Sequence, residues 1–401
     1  MKRNELKIPF FLIWRFITRS NKWTLSLTIF LMAIAFINLV FITSLFNGIV
    51  DGSNNQIINA LTGHVIVNPL TNQDYIGNAS NVVATIRRTT NVVGASAQTQ
   101  VSATLHYKTL HLSRPILAIN PNDEKTVSDI STHMIEGKYL SANDTDGVMI
   151  GIQVAGGPDV ELNSTSFKGA HVGETLELIM PTGTKTFTIR GIFNTKFVNA
   201  DSRIFVSEAA LKELAPTLTD KATSILVRIN KTGREDATIA ALKANGVQGT
   251  FDTWHDAAGL IKSVTKSFLS INVIISFVGI LIAAITIFIV IYIDITNKKR
   301  QIGILRAIGI KPWIIRMAYV LQSAVYSFAG VLVGTALFFG IIVPYFQIHP
   351  FVLPICDAVL VINPTDYILR AEAIMLVALI SGLIPAIFVT RMKILNAILG
   401  K

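Results

Sequence analysis

Four long apolar segments without a single charged residue constrain this chain more than any other feature. They are Trp23 to Gly48, Phe268 to Ile293, Met317 to Ile348 and Ala373 to Thr390. As α-helices that rise about 1.5 Å per residue, the first three reach at least about 39 Å, whereas the hydrocarbon core of a bilayer is about 30 Å thick. The fourth contains Pro385, but Arg370 and Glu372 can snorkel and let that helix start earlier. The sequence therefore predicts four membrane-spanning helices.

Basic residues are divided unevenly among the segments that join these helices. Residues 1–22, the 294–316 loop and the tail after Thr390 hold 15 basic and two acidic residues, whereas the rest of the chain holds 20 basic and 23 acidic residues. Segments rich in Lys and Arg stay on the cytoplasmic side of a membrane. Both termini and the 294–316 loop are therefore predicted to be cytoplasmic. No nucleic-acid motif accompanies the positive charge, so no nucleic-acid partner is expected.

The segment between the first two helices, residues 50–265, has the pattern of a folded α+β domain. Strand–helix–strand patterns occur near both of its ends, at 64–105 and at 222–251. Between them, Thr175 to Ile179 and Lys185 to Phe193 flank a Pro181 turn and predict a β-hairpin. We expect a split α/β unit with a β-rich insertion. Its hydrophobic core must hold it together, because Cys356 is the only cysteine and no intramolecular disulfide can form.

The predicted fold class is an α-helical membrane protein with four transmembrane helices and a large α+β extracytoplasmic domain inserted between helices 1 and 2. The predicted segments are an interfacial amphipathic helix (1–22), transmembrane helix 1 (23–49), the extracytoplasmic domain (50–265), transmembrane helix 2 (266–293), a cytoplasmic coupling-helix loop (294–315), transmembrane helix 3 (316–343), a short outer loop (344–368), transmembrane helix 4 (369–390) and a cytoplasmic tail (391–401). Pro344 is expected to mark the end of helix 3.

Small and polar residues inside the apolar segments predict where the helices touch. Gly330 and Gly334 are four residues apart, as are Gly279 and Ala283, and such pairs permit close contact between helices. Polar side chains that face lipid cost free energy, so those on helices 1 and 3 are expected to face other helices or a cavity. They are Asn38, Thr43, Ser44, Asn47, Gln322 and Ser323.

The 294–315 loop carries the pattern that is most informative about function. Ile302, Leu305 and Ile308 recur at three-residue steps, Gly309 suits a C-cap, and Pro312 suits the first turn of the next helix. This pattern predicts a short amphipathic helix whose apolar face, with Ile302, Leu305 and Ile308, docks into the cleft of a partner. An ordinary basic loop between two helices is the alternative.

The residues from Gln301 to Gly309 resemble the coupling helix of the MacB/FtsX/Lol class of ABC transporter permeases, with Gln301 where that family often has an acidic residue. The exit of helix 1, Ser44 to Asp51 followed by Ile57 to Val67, resembles that of the lipoprotein-release permeases LolC and LolE. Three shorter stretches of sequence show the same resemblance, which covers nearly the whole chain. They are Val148 to Gly151, Arg190 to Phe193 and Ile384 to Ala386.

This resemblance implies a non-enzymatic permease that works with a cytoplasmic ATP-binding subunit and with a second permease copy or a sister permease. ATP and Mg would bind to the ATP-binding subunit, since this chain has no Gly-x-x-x-x-Gly-Lys-Ser/Thr loop, and no cofactor is expected on the chain itself. The chain contains no His-Glu-x-x-His pattern, so no metal site is expected. The residues implied in ATPase coupling are Arg300, Gln301, Ile302, Gly303, Leu305, Arg306, Ile308 and Gly309.

The favoured substrate is a lipoprotein or another amphiphile, taken from the outer leaflet of the bacterial inner membrane between helices 1 and 2, with the large domain in the periplasm. Apolar and amide side chains of helix 1 would line its cavity, holding acyl chains beside a polar headgroup. The candidates are Asn38, Val40, Phe46 and Asn47. Two alternatives are MacB-like efflux of periplasmic solutes and FtsX-like regulation of an external cell-wall hydrolase. A tethered enzyme is the fourth, although no catalytic constellation supports it.

Overall fold

The structure is a computed structural model that describes residues 22–157, 160–257, 259–353 and 357–391. Almost all of the predicted interfacial helix 1–22 and of the tail 391–401 lies outside these residues. The helices are α1 (Lys22–Ile57), α2 (Ala79–Arg87), α3 (Pro121–Val127), α4 (Ile152–Ala155), α5 (Val198–Asp201), α6 (Glu208–Leu214), α7 (Glu235–Ala244), α8 (Trp254–Ala257), α9 (Gly259–Asn297), α10 (Lys299–Ala307), α11 (Pro312–Leu337), α12 (Val343–Ile348) and α13 (Pro364–Arg391). The strands are β1 (Val65–Asn68), β2 (Ile76–Gly77), β3 (Val92–Tyr107), β4 (Leu110–Ile119), β5 (Met134–Gly137), β6 (Gly147–Gly151), β7 (Thr175–Met180), β8 (Gly183–Phe193), β9 (Ile204–Ser207), β10 (Lys221–Ala222), β11 (Ser224–Ile229), β12 (Thr250–Thr253), β13 (Phe351–Val352) and β14 (Asp357–Ala358).

The described residues form two compact units. The membrane unit comprises residues up to Asp51, Thr265–Phe351 and residues from Ala358 onward, and the α+β domain comprises Gly52–Val264 with Val352–Asp357. The described part of the chain contains four helices that are long and apolar enough to cross a membrane: α1, α9, α11 with its continuation to Ile348, and α13. This confirms the predicted fold class. All four helices run past the predicted spans, because the uncharged run sets only the lipid-embedded length while the helix continues into polar residues.

Pro344 does not end the third span, contrary to the expectation from sequence. A π-helical segment, Phe338–Ile342, follows α11 and leads into α12, and Pro344 lies in the first turn of α12. The proline removes one backbone hydrogen bond from the helix, and the π-helical turn just before it is the kind of irregularity with which a helix accommodates that loss, so the chain stays helical to Ile348.

Glycine residues, which have no side chain, let helices of the membrane unit pack closely. A Cβ at Gly330 would lie 2.4 Å from Cβ of Met32, and one at Gly334 would lie 2.9 Å from the ring of Phe36, so α11 packs directly on α1. A Cβ at Gly279 would lie 3.3 Å from Leu39, a looser fit. The close contact predicted for the Gly330 and Gly334 pair is therefore present, because only glycine lets these two backbones approach so closely.

The first lobe of the α+β domain is a βαββαβ unit built from both ends of the domain. Its strands lie in the order β12-β1-β11-β3, all neighbours being antiparallel, and α2 and α7 make the two crossovers. Gly246 closes α7 with a φ of +81°, a left-handed conformation that glycine favours at a helix end. The last strand of the pattern predicted at 222–251 is β12, which begins only at Thr250. The predicted split α/β unit is correct.

The predicted β-rich insertion is a closed barrel, which we call the barrel lobe. Six strands pair in the cycle β3-β4-β9-β6-β8-β7 and back to β3. The predicted hairpin is β7–β8, where Met180 pairs with Gly183 across a two-residue turn. Apolar side chains such as Leu105, Phe187 and Ile189 fill the interior, so the barrel is a packed core without a channel.

Candidate functional sites

The short helix predicted between the second and third spans is present as α10. It begins directly after α9 and ends before Gly309, which has a φ of +96°, and Pro312 then starts α11. A left-handed glycine and a first-turn proline are the usual stop and start signals of two consecutive helices. The local sequence thus explains why α10 is a separate helix.

The inward side of α10 belongs to the core of the membrane unit. Ile302 is only 1% exposed and packs in the same apolar cluster as Ile295 and Ile315, and Leu305 packs against that cluster. Gly303 is buried beside Ile302. Ile302 therefore offers no surface to a partner, contrary to the expectation from sequence, whereas Leu305 is half-buried and keeps part of its side chain exposed.

The outward side of α10 carries a different apolar pair. Ile304 is 47% exposed and Ile308 is 71% exposed. Arg300 and Gln301 are exposed beside them, Gly309 is exposed at the helix end, and Arg306 is half-buried. We call Arg300, Gln301, Ile304 and Ile308 the outward face of α10.

The spacing of these residues explains the error in the prediction. Successive residues turn by about 100° around a helix, so a step of three falls short of a full turn and two such steps carry Ile308 well away from Ile302. Steps of four from Arg300 through Ile304 to Ile308 keep one face. The exposed isoleucine that sequence reasoning missed, Ile304, is found by this four-residue spacing.

A polar network joins the ends of α9 and α11 next to α10. The carboxylate of Asp294 pairs with Lys298 Nζ at 2.8 Å and accepts a hydrogen bond of 3.0 Å from Gln322 Nε2. Gln322 Nε2 also donates to the Tyr326 hydroxyl at 2.7 Å. The predicted inward orientation of Gln322 is correct, and its partner Asp294 was missed; the signal was a single acidic residue in an otherwise basic loop.

The four predicted substrate-cavity residues differ in their exposure. Asn38 is exposed, Val40 is buried, and Phe46 and Asn47 are half-buried. Val40 and Asn47 line a narrow cleft against α13, with a cavity volume of about 10 Å³, which has room for about one water molecule. In this cleft Asn47 Nδ2 donates to Asp366 Oδ2 at 3.1 Å.

Asn38 lies on the side of α1 toward α9, since a Cβ at Gly279 of α9 would come within 4.0 Å of its Oδ1. The cleft at Val40 and Asn47 is too small for an acyl chain. Among the described residues, this cleft holds Val40 and Asn47 but neither Asn38 nor Phe46, and a cavity shared by all four stays a prediction.

Polar residues of the α+β domain form structural contacts. Asp144 and Asp146, in the turn before β6, pair with Arg190 at 3.4 and 2.9 Å. Among the described residues, no group of three or more His, Cys, Asp or Glu side chains is placed to hold a metal ion.

Comparison with known proteins gives matches over both units. A model of the MacB-like periplasmic core domain matches residues 25–245, and a model of the FtsX-like permease C-terminal domain matches residues 273–394. The ABC transporter permease YtrF of Bacillus subtilis (strain 168) is 27% identical over 174 residues, which are 40% of this chain and 38% of that protein. The chain thus spans about two fifths of the length of this curated relative.

Two solved structures resemble the chain over about half of its length, each at 13% sequence identity. One is the extracellular domain of the noncanonic ABC-type transporter YknZ from Gram-positive bacteria, with a TM-score of 0.35, 47% of this chain covered and 97% of that one. The other is the periplasmic region of MacB from Actinobacillus actinomycetemcomitans, with a TM-score of 0.37 and coverages of 52% and 96%.

The chain therefore combines four apolar helices with a MacB-like periplasmic core domain and an FtsX-like permease C-terminal domain. Because the MacB-like model matches more than half of the chain, the protein belongs to the MacB-like family, and its C-terminal part is an FtsX-like permease domain.

Proposed function

We propose that this chain is the permease subunit of an ABC transporter and that a separate ATP-binding subunit docks on the outward face of α10. The observation that carries the proposal is the exposed pair Ile304 and Ile308, one helical turn apart and flanked by Arg300. Two neighbouring isoleucines in contact with water cost free energy that a protein partner would recover. ATP and Mg bind to the partner in this proposal, and this chain performs no chemistry.

Force applied to α10 would pass into the membrane unit by two routes. The first is the packing of Ile302 in the apolar core, and the second is the network that joins Asp294 to Lys298 and Gln322. A push on α10 would then shift the adjacent ends of α9 and α11 together. Because four helices rarely enclose a pathway, the transporter would contain a second permease, either another copy of this chain or a sister chain.

The orientation proposed for the chain follows from its charge. The basic 294–316 loop and both termini lie in the cytoplasm, and the α+β domain lies on the outer side of the bacterial inner membrane, in the periplasm. This orientation puts the outward face of α10 in the compartment that contains ATP.

Paired aspartate substitutions at Ile304 and Ile308 test the docking proposal. A charge at each position would be buried without a partner in the docked complex, so we expect the affinity for the ATP-binding subunit to fall at least about tenfold. Membrane insertion and the melting temperature should stay those of the wild type, because both side chains are exposed. Paired substitutions by leucine, which keep the face apolar, serve as the matched control.

Co-purification of the chain with its ATP-binding subunit, followed by titration in detergent, measures this affinity. Wild-type affinity in the double aspartate variant would show that the ATP-binding subunit docks elsewhere. Ile302→Asp is not a substitute test, because Ile302 is buried in the core and its substitution would disturb folding.

For the substrate we propose a lipoprotein or another amphiphile that meets the chain at Asn38. An amide on a lipid-facing surface costs free energy unless a polar group pairs with it, and Asn38 is exposed among apolar residues of α1 that include Phe30 and Ile34. A polar headgroup whose acyl chains lie along the same surface would supply that pairing.

A photo-crosslinker at Ile34, one turn before Asn38, tests this assignment, and the same crosslinker at the exposed Phe388 of α13 is the control. We expect Ile34, and not Phe388, to crosslink to a lipoprotein in membranes without ATP and to lose that crosslink when ATP is added. Crosslinks to phospholipid alone at both positions would remove the lipoprotein assignment. Efflux of periplasmic solutes and regulation of a cell-wall hydrolase would then be the remaining functions.

A further inference from the structure

The α-helical part of α1 gives way to a π-helical segment, Ile58–Thr62, inside the α+β domain. Gly63 N donates to the carbonyl of Ile58 at 3.0 Å, the five-residue spacing that defines this geometry. Such segments are frequent at functional positions, so the contacts of this one are informative.

The βαββαβ lobe holds the π-segment through Arg228 of β11. One guanidinium nitrogen of Arg228 donates to Asn59 Oδ1 at 2.9 Å, and the other donates to the Val127 carbonyl at 3.2 Å. The planar guanidinium of an arginine holds both acceptors in one fixed geometry, whereas the donors of a lysine rotate freely. This contact ties β11 to the end of α1.

The barrel lobe holds the same segment through Arg203, which immediately precedes β9. Arg203 Nη1 donates to the Leu61 carbonyl at 3.0 Å. The turn after α3 adds a third contact, from the backbone N–H of Asp129 to the Asn59 carbonyl at 2.9 Å. Each lobe therefore supplies one arginine. The two residues that accept their hydrogen bonds, Leu61 and Asn59, are separated by one residue in the chain.

Apolar side chains surround these polar contacts. Ile57, Ile58 and Ala60 pack with Phe197 and Ala200 of the barrel lobe, and Trp254 at the end of β12 completes the same cluster. The segment thus contacts both lobes by packing as well as by hydrogen bonds.

Two carboxylates, Glu124 and Asp129, lie near the arginines. Burial lowers the pKa of Arg203 to about 10, and the charge of Glu124 opposes that decrease. Burial also raises the pKa of Asp129, an increase that Arg228 opposes. Charged groups kept in such surroundings stabilise little, so their value lies in fixing one geometry.

We propose that Asn59 and Leu61 are a shared anchor that holds the two lobes of the α+β domain at one mutual angle, with Arg203 and Arg228 as the positioning residues. β3 is the strand common to both lobes, so twisting about β3 is the motion that the anchor restrains. Where the lobes face each other, a cleft of about 350 Å³ is lined by Ser80 and Thr99 from one side and by Glu208 and Lys212 from the other. The angle between the lobes sets the width of this cleft.

Distances between spin labels across the cleft test the anchor in the full-length chain. Labels at Asn81→Cys and Lys212→Cys, in a Cys356→Ser background, report the inter-lobe distance in nanodiscs without any ATP-binding subunit. We expect one narrow distance distribution in the wild type and its loss in Arg203→Ala, Arg228→Ala and Asn59→Ala. Asn59→Asp keeps an acceptor for Arg228 and should restore the narrow distribution.

Arg190→Ala is the matched control, because Arg190 pairs only with residues of the barrel lobe in the contacts described above. Arg203→Lys and Arg228→Lys keep the charge but lose the planar guanidinium, and they replace the alanine variants if those fail to fold. A narrow wild-type distribution in all anchor variants would overturn the proposal, and so would broadening of the same extent in Arg190→Ala. The measurement needs no ATP-binding subunit, so its outcome is independent of whether the outward face of α10 docks one.

Discussion

The membrane unit and the α+β domain use opposite means to bring their parts into contact. In the membrane unit, α11 meets α1 where side chains are absent, at Gly330 and Gly334. In the barrel lobe, large side chains such as Phe187 fill the space between strands. Lipid is as apolar as leucine, so burying apolar surface yields little between membrane helices, whereas it is the main stabilising term in water.

This difference teaches that the same substitution should have different effects in the two units. Removing an aromatic ring should lower stability strongly where water would replace the ring and only slightly where lipid would replace it. Adding a methyl group should lower stability most where two backbones are in contact. Two predictions test these statements, beginning with the larger effect, and a third, smaller one concerns a buried carboxyl of the α+β domain.

Phe187→Ala in the barrel should lower the free energy of unfolding by about 3–5 kcal/mol, because the ring is fully buried and its removal leaves a cavity. Phe277→Ala on α9 is the matched control, since that ring is 66% exposed on an apolar helix and lipid can take its place. Thermal unfolding of the purified chain in detergent measures both. Equal destabilisation by the two substitutions would contradict the comparison.

Gly330→Ala should destabilise the membrane unit by about 1–3 kcal/mol, because the new methyl group would overlap Met32 and the adjacent backbone of Ala33. Gly340→Ala has no atom within 4 Å of its new Cβ and should be neutral or stabilising, since alanine favours a helix over glycine. Denaturation in detergent, followed through the helical circular dichroism signal, compares the two variants. A neutral Gly330→Ala would mean that α11 and α1 are not in direct backbone contact.

Glu124→Gln should change how the stability of the α+β domain depends on pH. Burial raises the pKa of the Glu124 carboxyl above its ordinary value of 4.5, although Ser96 Oγ and Gln98 Nε2 donate hydrogen bonds to it at 2.7 and 3.0 Å. A raised folded-state pKa gives stability that is fully present below pH 4.5 and is lost as the pH rises through the raised value. The glutamine variant cannot ionise, so its stability should decrease less than that of the wild type above pH 4.5.

Melting temperatures between pH 4 and pH 8 measure this difference, which should be the smallest of the three effects. Glu161→Gln, at an exposed position, should keep the wild-type pH profile. Parallel profiles for Glu124→Gln and the wild type would show that the buried carboxyl does not titrate in this range.

Sequence was sufficient for features that depend on local patterns. The uncharged runs predicted four apolar helices, and the Pro181 turn predicted the β7–β8 hairpin. Closure of the barrel was not predictable, because it depends on β3 pairing with β7 more than 70 residues later. The orientation of α10 was predicted wrongly for a related reason: both faces contain isoleucine, and only the position of the surrounding helices decides that Ile302 is buried and Ile308 is exposed.

Pairing between distant parts of the chain also fixes the order in which the α+β domain can form. β1 pairs with β12, whose Thr253 lies opposite Val65. The edge of the βαββαβ lobe therefore cannot form until nearly the whole domain has been synthesised. All six barrel strands lie between Val92 and Ser207, so the barrel is complete in sequence before β11 and β12 emerge. Shorter loops close at lower entropic cost, and domains fold as their segments become available during synthesis. The barrel should therefore fold first, and Arg228 should reach the end of α1 only in the last stage of folding.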